Sequence, residues 1–426
     1  MKYIWPIFWR LLLFIQRLSA IFVRGFSLFS HKLSHKISSR LEFERKNPNI
    51  SAQLIEVDHL FHVSSEGEFS QIFYLLKKLI GEGERILLLY TSNSLENRIV
   101  KLNQEKIPNL ITRRVSFFLP GILNKINYKQ LKSVNLCRYD FLPELMLIGS
   151  RCRKFNIINA TSINWRHRGP MFRILIRSFY SQFNLITTSN IADTNEFRQL
   201  KLNASLLEID LRIFEIIQRQ KNFSQSVDFF KFSPFLEKIK KCSYQIIFGS
   251  AWPEEMSLFK VTEFVDFISN NQIPCLIFPH SFDEKNLAEM TNFIVKSGCT
   301  FSYIKTIDDF TNFNVDQIGI VLVKGLLCEM YPYFSHAIIG GGFGVSVHSV
   351  LEPMMAETIT FCGPNVRRST EVENFQLNYP QNIFVANTIP KLAQELLKSL
   401  VKDKEKFLHN FELSEIFDLL VAHYEY

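Results

Sequence analysis

No GxSxG, Walker-type or HExxH sequence occurs in the 426 residues, so the chain carries no signature of a serine hydrolase, a P-loop ATPase or a zinc peptidase. Its seven cysteines, Cys137, Cys152, Cys242, Cys275, Cys299, Cys328 and Cys362, are an odd number, widely dispersed, and form no CxxC pair. That pattern speaks for reduced thiols facing a cytosolic environment, and against both a disulfide framework and a zinc site. No 20–50-residue repeat or low-complexity tract stands out. The 41 phenylalanines carry no functional reading. Negative charge is nearly absent from the start of the chain. Residues 1–46 hold nine Lys/Arg against Glu42 and Glu44, a balance of +7 out of the total +8. The basic character is thus an N-terminal property, which argues against a nucleic-acid-binding body and for a local contact with an anionic membrane surface.

What fills that N-terminus is apolar. Tyr3 to Val23 is mostly Ile, Leu, Phe and Trp, interrupted by Arg10, Arg17 and, just beyond, Arg24. At about 100° per residue a seven-residue spacing returns nearly to the same face, so the arginines form one basic stripe on a helix. The pattern predicts an interfacial helix, with Trp5, Trp9 and Phe14 suited to the headgroup level; a spanning helix and an amphipathic core helix are the alternatives. A cleaved signal peptide fits poorly, because charges fall inside the apolar region. His31 and His35, with Lys32, Lys36 and Arg40, extend the basic surface by four-residue spacing.

A chain of this length exceeds one hydrophobic core, so two domains of roughly 150–200 residues are expected. From residue 49 onward apolar runs alternate with amphipathic segments, the mark of doubly wound parallel sheets. Strands are expected at 55–63, 85–90, 115–119, 134–139, 155–160 and 185–189, then at 244–248, 273–278, 301–304, 318–323, 337–339 and 358–361. The domain reading is a membrane-anchor segment 1–48, a Rossmann-like domain 49–211, a charged connection 212–241, and a second Rossmann-like domain 242–426.

The most informative run is Gly340-Gly341-Gly342-Phe343-Gly344, with His348 and Leu351-Glu352-Pro353 behind it. It follows the strand-like Ala337-Ile338-Ile339. Glycine lets a backbone turn sharply after a strand and approach a ligand closely, and a helix starting next would present its N-terminus to a phosphate. His348 and Glu352 are four apart, so on such a helix they share a face, giving a donor for an anion and a carboxylate for ribose hydroxyls. A glycine run alone is a weak motif; its neighbours turn it toward a sugar-nucleotide site. Asp308-Asp309 reads as a solvated acidic pair, and no metal is expected.

Six motifs occur in order: His62-Val63-Ser64-Ser65-Glu66-Gly67-Glu68-Phe69, Gly249-Ser250-Ala251-Trp252-Pro253-Glu254-Glu255, Phe278-Pro279-His280, Gly325-Leu326-Leu327, the glycine run with His348 and Glu352, and Gly363-Pro364-Asn365. Together they resemble the Kdo transferases, bacterial GT-B glycosyltransferases that move 3-deoxy-D-manno-octulosonic acid (Kdo) from CMP-Kdo to a lipid A precursor; the variant forms look most like the Bacteroidetes branch. The resemblance implies a GT-B fold, two facing doubly wound domains with an N-terminal membrane-associated helix, at the cytoplasmic face of the bacterial inner membrane. It implies Glu68 as the base of an inverting transfer, with Glu66 the competing carboxylate. An acidic group in a first helical turn is also what helix capping favours. For the donor it implies Pro279, His280, Gly325, Leu326, Leu327, Gly341, Gly342, His348, Ser349, Leu351 and Glu352, with main-chain groups of 325–327 near the cytosine. Ser65, Asp140 and Arg212 are the acceptor-side candidates, and no metal or other cofactor is implied.

Departures from the family pattern gather on the acceptor side. Asp140 stands where glutamate is usual, Asn159-Ala160-Thr161 lacks an expected arginine, Ile209 replaces a glycine, and on the donor side Ser349 replaces an asparagine. The expectation is therefore Kdo transfer from CMP-Kdo to lipid IVA in lipopolysaccharide core biosynthesis. A catalytically silent GT-B homologue that binds during lipopolysaccharide assembly, and a GT-B enzyme with another sugar and lipid, are the alternatives.

Overall fold

The computed structural model describes residues 4–26, 55–115, 126–127, 130–138, 141–367, 369–400 and 413–425. It divides into two compact units, residues 1–212 with 411–426, and residues 213–410.

The first unit is built on β1 (His59–Val63), β2 (Ile86–Tyr90), β3 (Leu110–Arg114), β4 (Ser133–Cys137), β5 (Lys154–Ile158), β6 (Leu185–Thr188) and β7 (Ser205–Glu208). They form one parallel sheet in the order β3-β2-β1-β4-β5-β6-β7. The second unit carries β8 (Ile246–Ala251), β9 (Cys275–Pro279), β10 (Phe301–Ile304), β11 (Ile318–Val321), β12 (His336–Ile339), β13 (Ile359–Cys362) and β14 (Ile383–Val385). That sheet is also parallel, in the order β10-β11-β9-β8-β12-β13-β14. The central strands β1, β2, β4 and β9 are buried along their whole length, as expected of strands covered by helices on both faces. In each sheet the strand order reverses once, between β1 and β4 and between β8 and β12. Ligands of such sheets bind outside the carboxyl ends of the strands at that reversal. The His62–Phe69 segment leaves β1, Gly249–Glu255 spans the end of β8, and the glycine run leaves β12, so three of the six motifs sit at the two reversals.

Several sequence expectations are corrected. The strand Leu110–Arg114 was not expected; it is a half-exposed edge strand and lacks the apolar run that marks a buried one, while the strand expected at 115–119 lies, beyond Val115, outside the described residues. The edge strands β7 and β14 were not expected either: β7 is partly exposed along its length, and β14, though apolar, is only three residues long. The charged stretch 212–241 is two helices, Arg212–Phe223 and Val227–Lys240, whose Phe223, Phe232, Phe235 and Ile239 are buried in the second unit, with Phe232 4.6 Å and Phe235 5.2 Å from the Phe310 ring.

The second domain does not run to residue 426. The helix Leu413–Glu425 returns to the first unit, where Tyr424 is buried, stacks on Phe61 of β1 and donates its hydroxyl to Asn135 Oδ1 at 2.8 Å. Asn135 in turn binds Ser133 and Asn156, and His423 binds Asn156, so a buried polar chain ties β1, β4 and β5 to the chain's last helix.

The N-terminal helix Ile4–Phe26 is present, and it buries Trp9 and Leu13 in the core of the first unit. Trp5 Nε1 donates to Ser178 Oγ at 3.0 Å, and Trp9 Nε1 to Gln182 Oε1 at 3.2 Å. No helix among the described residues is long and apolar enough to cross a membrane, so the spanning alternative is not supported. The basic residues 27–48 lie outside the described residues.

Candidate functional site

The glycine run earns its composition from the protein's own backbone. A Cβ at Gly340 would stand 2.1 Å from Ser250 O, one at Gly341 2.3 Å from Ser346 O, and one at Gly342 2.5 Å from Gly363 N. Gly341 also takes φ +84°, a conformation side chains rarely adopt. The turn is thereby pressed between the end of β8 and the Gly363-Pro364-Asn365 motif, with Asn365 N–H donating to Gly342 O and Val347 N–H to Asn365 O, both at 3.0 Å. The N–H groups of Gly340, Phe343, Gly344, Val347 and His348 all donate to protein atoms. The closeness read from the sequence as an approach to a ligand is, in the fold, an approach of chain to chain.

The helix expected straight after the glycines is absent. Residues 345–350 are irregular, and the helix that follows, Leu351–Met355, is five residues long with Glu352 in its first turn. His348 precedes it, so His348 and Glu352 do not share a helical face. The pairing of Val347 with Asn365 holds this segment out of a helix. Ser349 donates to Glu371 Oε2 at 3.1 Å and accepts from Leu351 N–H, and Leu351 itself is buried. The charge of Glu352 acts on Arg219, Cys328 and Tyr331.

His348 belongs instead to a cluster of three rings. Trp252 Nε1 donates to His348 Nε2 at 3.0 Å, and His280 is stacked on both, its centroid 4.6 Å from Trp252 and 4.2 Å from His348. An indole N–H is only a donor, so Nε2 must keep its lone pair and the His348 proton sits on Nδ1. Burial, and then the neighbouring His280, hold the His348 pKa below its ordinary value; burial does the same for His280. His348 thus offers a neutral Nδ1–H.

Glu255 locks the cluster to the glycine turn. Its Oε2 accepts from Trp252 N–H at 3.1 Å and its Oε1 from Phe343 N–H at 3.4 Å. It is buried, and burial lifts its pKa to about 7.

Next to the rings a cavity of about 430 Å³ opens at the ends of β9 and β11, lined by Pro279, His280, Lys324, Gly325 and Leu327 among others. Gly325, at φ +80°, accepts from Arg219, whose guanidinium also grips Glu329 with two hydrogen bonds of 2.9 and 3.0 Å. Leu326 is buried.

In the first unit, Ser65 caps the helix Glu66–Gly81 by accepting from Glu68 N–H at 3.2 Å. Glu68 is buried, and its Oε2 accepts from Ser64 N–H at 2.7 Å and Ser64 Oγ–H at 2.8 Å. Glu66 is exposed. Ser65 and Glu68 are therefore brought together at the β1 end of the strand reversal. Across that reversal Arg138, just after β4, takes φ +55°. Such a backbone is costly for a non-glycine residue and persists where the surroundings impose it. Asp140 lies outside the described residues. Arg212 grips Asp210 two residues earlier, with Nε 2.9 Å from Oδ1.

The structure thus gathers Pro279, His280, Gly325, Leu327 and His348 around one end of the second sheet, with Gly341 and Gly342 as the turn that supports them. Ser349 and Glu352 engage other protein groups. Trp252 and Glu255 both stand in the motif Gly249–Glu255, yet the motif order assigns neither a role; the spacing of Trp252 to Glu255, that of a helix start whose third residue reaches back to the cap, is the signal the sequence holds. Among the described residues no three metal-binding side chains stand together. Asp308 is paired with Lys231, and Asp309 accepts from the Lys305 and Thr306 N–H groups.

No protein-family model matches the sequence, and no curated protein matches it either. Solved structures do. A glycosyltransferase from Rickettsia africae is 14% identical over 87% of this chain and 98% of its own, with a TM-score of 0.51. The UDP-GlcNAc 2-epimerase of Methanocaldococcus jannaschii is 11% identical over 86% and 99%, with a TM-score of 0.52. The C-terminal CMP-Kdo binding domain of WaaA from Acinetobacter baumannii is 15% identical over 50% of this chain and 97% of its own, with a TM-score of 0.33, too loose a likeness to bear on the argument. At these identities the likeness establishes the fold alone: two doubly wound units in the GT-B manner.

Proposed function

We propose that the protein is an inverting glycosyltransferase that moves Kdo from CMP-Kdo to a lipid A precursor at the cytoplasmic face of the bacterial inner membrane. The observation that carries this reading is the cluster of Trp252, His280 and His348 at the strand reversal of the second sheet, beside the cavity that Lys324 and Gly325 line. Flat rings, a neutral N–H donor and a lysine suit a base and a phosphate. The resemblance of the six ordered motifs to those of the Kdo transferases supports CMP-Kdo as the donor. In the first unit Glu68, held by Ser64, is the base.

In the reaction, a hydroxyl oxygen of the acceptor bonds to the anomeric carbon of Kdo while the bond from that carbon to the CMP phosphate oxygen breaks. CMP leaves with the electron pair and Glu68 takes the hydroxyl proton. The phosphate is a stable leaving anion, so donors such as His348 Nδ1–H and Lys324 suffice on its side. The outward apolar face of the N-terminal helix suits an acceptor that resides in a bilayer.

One observation favours a second reading. The hydrogen bonds of Glu68 to Ser64 are also those of a helix-start clasp, as a binding protein without turnover would keep them. A donor panel tests the proposal: with membrane lipid extract as acceptor, release of CMP from CMP-Kdo supports it, release of UDP alone from UDP-sugars overturns the Kdo assignment, and no release from any donor favours the silent reading.

A further inference from the structure

The net charge beyond residue 46 is only +1, and that total conceals a second basic tract. Residues 145–192 contain no Asp or Glu but hold Arg151, Arg153, Lys154, Arg166, Arg168, Arg173 and Arg177. Within it lies the helix Pro170–Tyr180, which buries Tyr180 and turns Met171, Ile174 and Leu175 outward at 82, 62 and 59% exposure. Positions 171, 174 and 175 fall on one face at helical spacing, opposite Tyr180. Ile163, in the preceding turn, is also exposed, and Arg168 and Arg177 flank the face. Arg173 is taken by Glu196.

The fold sets this helix beside the N-terminal one. Trp5 and Trp9 pack their rings on Phe179 at 5.3 and 6.0 Å, and their N–H groups reach Ser178 and Gln182. The N-terminal helix in turn leaves Ile7, Leu11, Phe14 and Leu18 exposed, with Arg10 and Arg17 exposed alongside and no acid in residues 4–26. Two helices far apart in sequence, each with an outward apolar face and exposed arginines beside it, are thus neighbours on the first unit, with Glu196 on Arg173 the acid that meets the second of them. Exposed apolar side chains on two packed helices fit an interaction site, and the arginines beside them fit an anionic partner.

We propose that the helix Pro170–Tyr180 is a second membrane-docking element, which with the N-terminal helix seats the first unit on an anionic lipid surface, inserting Met171, Ile174 and Leu175 among the acyl chains while the arginines meet headgroup phosphates. This shares with the proposed function only its lipid partner and uses neither the donor rings nor Glu68.

The test is flotation of the full-length protein with vesicles of phosphatidylglycerol and phosphatidylethanolamine, and with vesicles of phosphatidylcholine alone. Wild type is expected to float with the anionic vesicles and far less with the neutral ones. Ile174→Glu/Leu175→Glu is expected to lower partitioning at least tenfold, as is Ile7→Glu/Leu11→Glu, whereas Leu377→Glu, equally exposed on the second unit, leaves it unchanged. The substituted side chains are exposed, so thermal unfolding should match wild type. Unchanged flotation of the Ile174→Glu/Leu175→Glu variant overturns the proposal, and so does equal binding of wild type to neutral vesicles. Conversion of a dimer to a monomer by that variant, with flotation intact, makes the face an interface between copies and also overturns it. CMP binding, measured separately by calorimetry, moves with the proposed function and not with this one.

Discussion

Trp252 Nε1 donates to His348 Nε2 across 3.0 Å, and His280 lies over both rings. The bond fixes the imidazole tautomer, because protonating Nε2 would set two N–H groups against each other. Trp252→Phe is expected to raise the His348 pKa toward its ordinary value and release the tautomer. Nitrogen-15 NMR of the neutral histidine ring reads this directly: wild type should show the Nδ1–H tautomer alone, and the variant a mixture of the two tautomers. Mixed tautomers in the wild-type ring would show that the indole does not control it.

Gly342→Ala places a Cβ 2.5 Å from the backbone nitrogen of Gly363, where no flexible side chain can move aside. The expected loss of stability is about 1–3 kcal/mol, the range for overpacking, and CMP binding should weaken with it because the turn carries His348. Thermal and urea unfolding check the first part, calorimetry the second.

Glu255 gives the second unit a pH signature. Its pKa is about 7 in the fold against an ordinary 4.5, chiefly through burial, so between those values the folded state holds more proton than the unfolded one. That contribution to stability is complete below pH 4.5 and is lost as pH rises through 7. Glu255→Gln removes the titration, so the variant should gain on wild type in urea unfolding as the pH goes from 5 to 8. A constant difference between the two would contradict this.

The first unit responds in the opposite sense. Burial lowers His59 and His423 to about 4, each within the polar chain that docks the last helix. The unfolded chain binds protons near 6.5 and the folded one does not, so stability falls as pH drops from about 6.5 to 4. His423→Gln should flatten that slope. Tyr424→Phe deletes the hydroxyl on Asn135 and should cost about 1 kcal/mol at any pH.

Alternation of apolar and amphipathic segments was enough to find the central strands of both sheets, because strands buried on both faces are apolar throughout. β3 and β7 escaped because these edge strands are partly exposed and carry polar ends, and β14 because three apolar residues are too few to stand out, whereas the edge strand β10 was legible. The return of Leu413–Glu425 was not legible, since its partners, Phe61 and Asn135, lie hundreds of residues away and leave no local trace. Helical spacing misled at His348 and Glu352, where Val347 pairs with Asn365 and breaks the periodicity on which the inference relied. The cluster around Trp252 was legible only as motifs in order; its hydrogen bond belongs to tertiary structure. The summed charge hid residues 145–192, whose basic excess is cancelled elsewhere in the chain.

The central claim is that Glu68 drives transfer of Kdo from CMP-Kdo to a lipid acceptor. Its most direct test is acceptor-dependent CMP release, with purified CMP-Kdo and lipid IVA, by wild type and by Glu68→Gln of equal thermal stability. The account predicts release by wild type, with a product heavier by whole Kdo units in mass spectrometry, and at least a hundredfold less by the variant; equal release by both, or none by a folded wild type, would contradict it.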